Sequence, residues 1–171
     1  MKHALGFASC ALLLSACATM ENEGPAATAM MRPASGSQVN GSVKFTQVGS
    51  RVRVSGQIAG LSPGLHGFHI HEKGDCSAAD ATSAGAHFNP AGMKHGGPGS
   101  AVHHAGDLGN IKADDYGNAT ISVLADGVSV SKGQSDSVIG RGLIVHAAPD
   151  DEKTDPTGNA GGRIACGVIG G

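Results

Sequence analysis

Glycine content is the feature that most constrains the fold of this chain. Twenty-eight of its 171 residues are glycine, and only five are aromatic. Glycine costs a helix about 1 kcal/mol relative to alanine and favours turns, so this composition excludes a helical protein. The core must therefore be aliphatic, and a domain with a small aliphatic core gains stability from a disulfide or a bound metal.

Short runs of alternating polar and apolar residues begin at residue 41 and are separated by Gly, Asn and Asp. Alternation with a period of two is typical of strands with one buried face. Residues 115–118, Asp-Tyr-Gly-Asn, predict a hairpin turn. Seven strands are predicted, at 42–46, 51–55, 64–71, 106–112, 119–124, 142–146 and 163–168. We therefore predict an all-β fold, an antiparallel Greek-key β-sandwich or flattened barrel.

Two long segments, 72–105 and 147–162, lack any strand pattern. Each follows directly after a predicted strand that ends in a histidine. Long loops inside a compact domain usually carry function. We therefore expect these two loops to form the functional site.

The N-terminus has the features of an export signal. Lys2 supplies a positive charge, and residues 4–14 form an apolar stretch too short to span a bilayer. The sequence Leu-Ser-Ala-Cys at 14–17 resembles the lipobox of bacterial lipoproteins. This resemblance implies a signal peptide at 1–16 and a lipid on Cys17. Cleavage after Ala18 is the alternative, and it would leave the protein soluble in the periplasm.

Cysteine parity favours lipidation. Cleavage before Cys17 leaves three cysteines, and lipidation of Cys17 leaves Cys76 and Cys166 as an even pair. More than one acyl chain on Cys17 would hold the protein stably on a bacterial membrane. Residues 17–38 are then predicted to be the lipidated cysteine and a flexible tether, because they lack periodicity. The globular domain is predicted at 39–171.

Eight of the nine histidines lie between His66 and His146. In the predicted strand Gly-Phe-His-Ile-His, His69 and His71 share one face, because side chains alternate along a strand. Two adjacent imidazoles can chelate one metal ion. The first loop adds further candidate ligands, and one more histidine ends a later strand: His87, His95, His104 with Asp107, and His146.

Five segments together resemble the copper/zinc superoxide dismutase family, in its bacterial branch: GFHIHEKGDC, AGAHFNPAGMKHGG, HAGDLGN, GLIVHAAPDD and GNAGGRIACGVIG. They occur in family order and span nearly the whole predicted domain. The resemblance implies an oxidoreductase that converts superoxide to oxygen and hydrogen peroxide. It also implies one copper and one zinc ion per subunit.

The resemblance also implies roles for individual residues. The implied copper ligands are His69, His71, His87 and His146, and the implied zinc ligands are His87, His95, His104 and Asp107. His87 would bridge the two metals and carry a proton during the reaction, and Arg163 would attract superoxide to the copper. Asp150 would accept hydrogen bonds from His69 and His95. Four nitrogen donors suit Cu(II), whereas three imidazoles and a carboxylate suit Zn(II).

Cys76 and Cys166 are expected to form a disulfide, because export favours a disulfide over reduced thiols. His66 is expected to be a hydrogen-bonded structural histidine. His103 lies outside the His-x-Gly-Asp pattern that selects His104, and Asp151 is expected to be solvated.

The sequence departs from animal members of the family in its second loop. Pro156 stands where those members carry a lysine, and Lys153 is the nearest replacement for that charge. Monomer and homodimer both stay open. The chain has no basic run or aromatic platform, so we expect no nucleic-acid partner.

The same fold is compatible with two other functions. One is a metal buffer, which has no need of an arginine above an open copper position. The other is a copper-delivery domain, which would need cysteines that this chain lacks.

Overall fold

The computed structural model describes residues 23–171. The predicted signal peptide, Cys17 and residues 18–22 lie outside the described residues. Among residues 23–171, no helix is long and apolar enough to cross a membrane. This part of the chain has one 3-10 helix, Thr82–Ala84, and the strands β1 Glu23–Pro33, β2 Asn40–Val48, β3 Arg51–Ala59, β4 Gly64–His71, β5 Asp107–Ala113, β6 Ala119–Ala125, β7 Gly142–His146 and β8 Arg163–Gly170.

The strands form one antiparallel sheet in the order β5-β4-β7-β8-β1-β2-β3-β6. Its two edge strands, β5 and β6, are joined by a tight turn and contact each other, so the sheet is nearly closed. In that turn the Asp114 carboxylate accepts hydrogen bonds from the backbone N–H groups of Tyr116 and Asn118, and Gly117 has a φ of 80°. The predicted hairpin turn and the predicted all-β sandwich or flattened barrel are both confirmed.

Alternation along the strands builds the core. Val43 and Phe45 of β2 and Val52 and Val54 of β3 are fully buried, whereas the residues between Val43 and Phe45 and between Val52 and Val54 are not. The central strand β7 is buried along its whole length, because it is covered on both faces. The side chains that fill the space between the sheet faces are mainly Val, Ile, Leu and Ala, as the composition requires.

The strand β1 lies within the segment that was predicted to be a flexible tether. Residues 23–33 form a strand that pairs with β2 on one side and β8 on the other. Ala27, Ala29 and Met31 are buried and alternate with exposed residues. The tether prediction is wrong for this segment, and the domain includes it. The small side chains have weak strand preference by themselves, so pairing on both edges is what stabilises the strand.

The other seven strands coincide with the seven predicted runs, and the structure extends some of them by up to four residues. The two long loops also lie where they were predicted. The first runs from the end of β4 to β5, and the second from the end of β7 to β8. Both start beside a histidine, because His71 ends β4 and His146 ends β7.

A disulfide joins Cys76 in the first loop to Cys166 in β8, with 5.8 Å between the two Cα atoms. This confirms the predicted pairing. The two cysteines are 90 residues apart in sequence. Loop-closure entropy for a span of this length corresponds to about 4–5 kcal/mol of stability. The disulfide therefore fixes the first loop against the strand that begins with Arg163.

Candidate metal centre

β4 places two imidazoles on one side of a buried strand. Phe68 and Ile70 point into the apolar core, so His69 and His71 point to the opposite side. Both histidines are almost completely buried. A polar side chain buried in this way must find a partner, since burying an unpaired polar group costs about 1–3 kcal/mol.

His87 and His146 complete a group of four histidines with His69 and His71. Each offers one ring nitrogen, and the four nitrogens lie within 4.8 Å of one another. Strand pairing explains the arrangement. β7 pairs with β4 and carries His146 to its end, while an isolated bridge pairs His87 with His71.

Within the described part of the chain, the nitrogens that face one another in this group have no hydrogen-bond partner. Among residues 23–171, the buried side-chain nitrogens that lack a hydrogen bond are His69 Nδ1, His71 Nε2, His87 Nε2, His95 Nδ1 and His146 Nε2. Four of these five belong to this group of histidines. Their lone pairs converge on one point, which is the geometry that a metal ion requires of its ligands.

Three histidines of this group are held in the neutral form. Burial lowers the pKa of His69 to about 4, that of His71 to about 2 and that of His146 to about 3. Metal ligation needs the neutral imidazole, because a protonated nitrogen has no lone pair to offer. At neutral pH these rings are therefore ready to bind.

Outer hydrogen bonds decide which nitrogen of each ring carries the proton. His71 Nδ1 donates to the carbonyl oxygen of Gly85 at 2.9 Å, and His146 Nδ1 donates to that of Gly161 at 3.1 Å. A carbonyl oxygen only accepts, so the proton stays on Nδ1 and the lone pair on Nε2 points inward. Both glycines have a positive φ, which turns their carbonyls in a direction that other residues rarely allow.

A second group contains His87, His95, His104 and Asp107. The Nδ1 atoms of the three histidines lie 2.8, 3.1 and 3.3 Å, in that order, from an oxygen of the Asp107 carboxylate. Ligands about 2.0–2.1 Å from a tetrahedral zinc ion are about 3.3 Å from one another. The spacing and the three-imidazole, one-carboxylate set therefore fit zinc.

Asp107 is negatively charged in this group. Burial opposes its ionisation, but the hydrogen bonds from His87 and from the backbone N–H of His104 outweigh burial. The pKa of Asp107 consequently lies well below its usual range. The carboxylate thus brings a negative charge to the same point that the three imidazoles face.

His87 belongs to both groups. Its Nδ1 faces Asp107 and the second group, while its Nε2 faces the first group and has no hydrogen-bond partner among residues 23–171. One imidazole ring therefore separates the two donor sets. Its two nitrogens can contact two metal ions at once.

Asp150 connects the two groups on the outer side. Its carboxylate oxygens accept hydrogen bonds from His69 Nε2 at 2.7 Å and from His95 Nε2 at 2.9 Å. These bonds keep the protons of both rings on Nε2, so both Nδ1 lone pairs point inward. Asn110 holds Asp150 in place through two hydrogen bonds to its backbone.

Comparison with known proteins identifies the family of this chain. A family model described as copper/zinc superoxide dismutase (SODC) matches residues 39–169. The chain belongs to the copper/zinc superoxide dismutase family. The crystal structure of the clock protein EA4 is 43% identical in sequence and superposes with a TM-score of 0.77, covering 85% of this chain and 93% of that one.

Family membership gives the two donor groups their chemistry. The dismutase is an oxidoreductase that converts superoxide to oxygen and hydrogen peroxide at a copper site, which a histidine bridges to a zinc site. The four-histidine group fits copper, and the group with the carboxylate fits zinc. The predicted fold, enzyme class and cofactors are thereby confirmed.

Arg163 lies beside the copper group of the dismutase at the start of β8, where it pairs with His146. Its guanidinium donates hydrogen bonds of 2.7 Å to the carbonyl oxygens of Ala81 and Gly85. Gly85 therefore accepts from both His71 and Arg163. The first loop holds this arginine in a fixed, half-buried position.

Two residues that the sequence analysis did not single out support the segment around His87, the histidine shared by both groups. Arg141 stacks over the ring of Phe88, the residue after His87, at 4.2 Å from its centroid. It also donates a hydrogen bond to the carbonyl oxygen of Glu72. The start of the first loop is thus tied to the segment that carries the bridge. An arginine beside a phenylalanine distant in sequence leaves no signal in a single chain.

The other two histidines of residues 23–171, His66 and His103, lie outside both donor groups. His66 Nδ1 donates to the carbonyl oxygen of His146, as a structural histidine would. His103 donates to the carbonyl of His104. Asp151 is exposed to solvent, as expected. It also accepts hydrogen bonds from Lys153, Thr154 and Asn159 and organises the second loop.

Gly158 provides a test of the Asp150 connection. A Cβ atom at Gly158 would collide with Oδ1 of Asp150 and would lie 2.7 Å from Nε2 of His95, and its φ is 63°. We predict that Gly158→Ala displaces Asp150 and lowers metal affinity about 10–100-fold, as loss of an outer carboxylate typically does. Gly162→Ala in the same loop is the control, because nothing lies within 4 Å of its Cβ. Chelator competition measures both variants, and equal affinities would contradict this account.

Proposed function

We propose that the copper of this dismutase is held by His69, His71, His87 and His146, and its zinc by His87, His95, His104 and Asp107. One observation carries this assignment. All five buried ring nitrogens that lack a hydrogen bond within residues 23–171 belong to these two groups. Any other use of these residues would leave those lone pairs unpaired inside the protein, at a cost of about 1–3 kcal/mol each.

The two metals have different tasks. When bound, copper supplies one-electron redox chemistry, whereas zinc has no redox chemistry and supplies a fixed positive charge. The protein has to bind an anion, deliver protons and keep the ligand rings in place. Each of these three tasks falls to residues described above.

Arg163 binds and orients superoxide. Its guanidinium has five N–H donors, and its hydrogen bonds to Ala81 and Gly85 use two of them. Its other donors have no partner within residues 23–171 and can hold an anion beside the copper group. Formal charge on the whole chain is −2, so attraction of superoxide depends on a local positive charge of this kind.

His87 carries a proton between the two half-reactions. The first superoxide gives up one electron and leaves as oxygen, while His87 Nε2 takes up a proton. The second superoxide accepts one electron, the proton of His87 and a second proton from water, and leaves as hydrogen peroxide. Two superoxide ions and two protons therefore yield one molecule of each product. His87 Nδ1 lies 2.8 Å from Asp107 and faces the same donor group, so zinc bound there would hold the ring in place during the reaction.

Superoxide consumption by the metal-loaded protein tests these roles. We predict that His146→Ala loses at least about 100-fold in activity, because the copper group loses one of four donors. Arg163→Ala should lower kcat/KM by about 10-fold or more while leaving bound copper unchanged, since it removes anion attraction. Arg51→Ala, an exposed arginine in β3, removes the same charge elsewhere and should behave as wild type. Full activity in His146→Ala would refute the ligand assignment.

We also propose that the protein is exported by a bacterium and anchored through a lipid on Cys17. The Cys76–Cys166 disulfide supports export, because stable disulfides belong to oxidising compartments such as the periplasm. The lipobox-like sequence at 14–17 supports the anchor. Five residues separate Cys17 from Glu23, which is six Cα–Cα steps, so the lipid would lie at most about 22 Å from the start of β1. The barrel would then sit close to the membrane surface.

Fractionation of cells that express the protein tests the anchor. We predict that wild type sediments with membranes, whereas Cys17→Ala is released in soluble form. Cys10→Ala is the matched control, because Cys10 lies within the predicted signal peptide and its removal should change nothing. A wild type that is soluble after export would overturn the lipid anchor and favour cleavage after Ala18.

A further inference from the structure

Ligand histidines need a partner for the ring nitrogen that faces away from the metal. His69 and His95 donate to Asp150, His71 donates to Gly85, and His146 donates to Gly161. Such partners fix the tautomer and orientation of the ring. His87 needs none, because both of its nitrogens face a donor group. His104 is the remaining ligand histidine, and the question is which group faces its Nε2.

The side chain of Asp155 faces that nitrogen. Its Oδ1 lies 3.9 Å from His104 Nε2, in the second loop. The same oxygen accepts a hydrogen bond of 2.9 Å from the backbone N–H of His95. One carboxylate of the second loop therefore contacts two histidines of the first loop, and both belong to the zinc group.

The second loop holds Asp155 in this position. Asp151 accepts hydrogen bonds from the backbone N–H and the hydroxyl of Thr154, and the backbone N–H groups of Thr157 and Gly158 donate to the carbonyl oxygen of Thr154. These bonds close a compact turn on both sides of Asp155. Its carboxylate is half exposed, whereas the side chain of His104 is 5% exposed. The pair thus lies at the boundary between the zinc group and solvent.

We propose that Asp155 is a positioning residue for the zinc site, and that it orients His104 and ties the second loop to the zinc ligands. This inference rests on the ligand assignment proposed above. Zinc on Nδ1 would withdraw electron density from the ring and make Nε2–H a stronger donor to a carboxylate. A movement of about 1 Å would bring the 3.9 Å contact to hydrogen-bond length. Asp155 would then do for His104 what Asp150 does for His95.

Zinc release from the copper- and zinc-loaded protein tests this inference. The protein is mixed with a chelator that changes colour on binding zinc, and the visible absorption of copper is followed in the same sample. Asp155→Ala should release zinc about 10-fold faster than wild type. Asp155→Asn should lie between the two, because an amide oxygen still accepts but has no charge. Copper absorption should stay unchanged in both variants, which a general loosening of the fold would not allow.

Two further variants make the outcome decisive. Asp115→Asn removes an equal charge at the exposed β5–β6 turn and should release zinc at the wild-type rate. His104→Ala should release zinc faster than any Asp155 variant. If His104→Ala is impaired while Asp155→Ala stays within twofold of wild type, the inference about Asp155 is wrong and the ligand assignment stands. If His104→Ala retains zinc like wild type, the ligand assignment itself fails. Should Asp155→Ala fail to fold, Asp155→Asn decides, and a rate equal to that of Asp115→Asn overturns the proposal.

Discussion

The structure depends on several imidazole rings that are neutral and buried. Their lone pairs are directed at two points. Each unpaired buried nitrogen costs about 1–3 kcal/mol, so five of them cost roughly 5–15 kcal/mol in total. That range equals the whole stability of an ordinary domain. Metal ions that bind only the folded state offset this cost, because binding shifts the equilibrium toward the fold. The barrel, the disulfide and the metal ions consequently stabilise one another.

Two rigid strands and two loops position the rings that carry those lone pairs. β4 and β7 supply three of the four nitrogens of the copper group directly from the sheet. The first loop supplies His87, His95 and His104, and β5 supplies Asp107. The second loop supplies Asp150, and each loop is fixed to the sheet by a contact of its own. The disulfide fixes the first loop, and the Asp150–Asn110 hydrogen bonds fix the second. Function therefore lies in loops that the scaffold restrains, which is common in β-sandwich proteins.

The sequence predicted most of the fold because strand periodicity is a local signal. Most of the strands β2 to β8 carry alternating residues, β7 is a short apolar run, and all seven are predicted with small errors at their ends. β1 was missed because Ala27, Ala29 and Met31 alternate with residues that are equally typical of a linker. Its stability comes from β2 and β8, which are distant in sequence. Contacts of that kind cannot be read from a local pattern.

The candidate site also has features that the sequence predicts and features that it does not. The candidate ligands are predictable because their motifs resemble those of a family. The carbonyls of Gly85 and Gly161 were not, because a carbonyl direction depends on backbone angles. Asp155 also gave no signal, since its partners lie in another loop.

The central claim is that one imidazole, that of His87, lies between a copper and a zinc ion. Anomalous diffraction from crystals of the metal-loaded protein, recorded at the copper and zinc absorption edges, tests it most directly. The account predicts one copper peak among His69, His71, His87 and His146, and one zinc peak among His87, His95, His104 and Asp107. A single peak, or a copper peak away from His87, would contradict it.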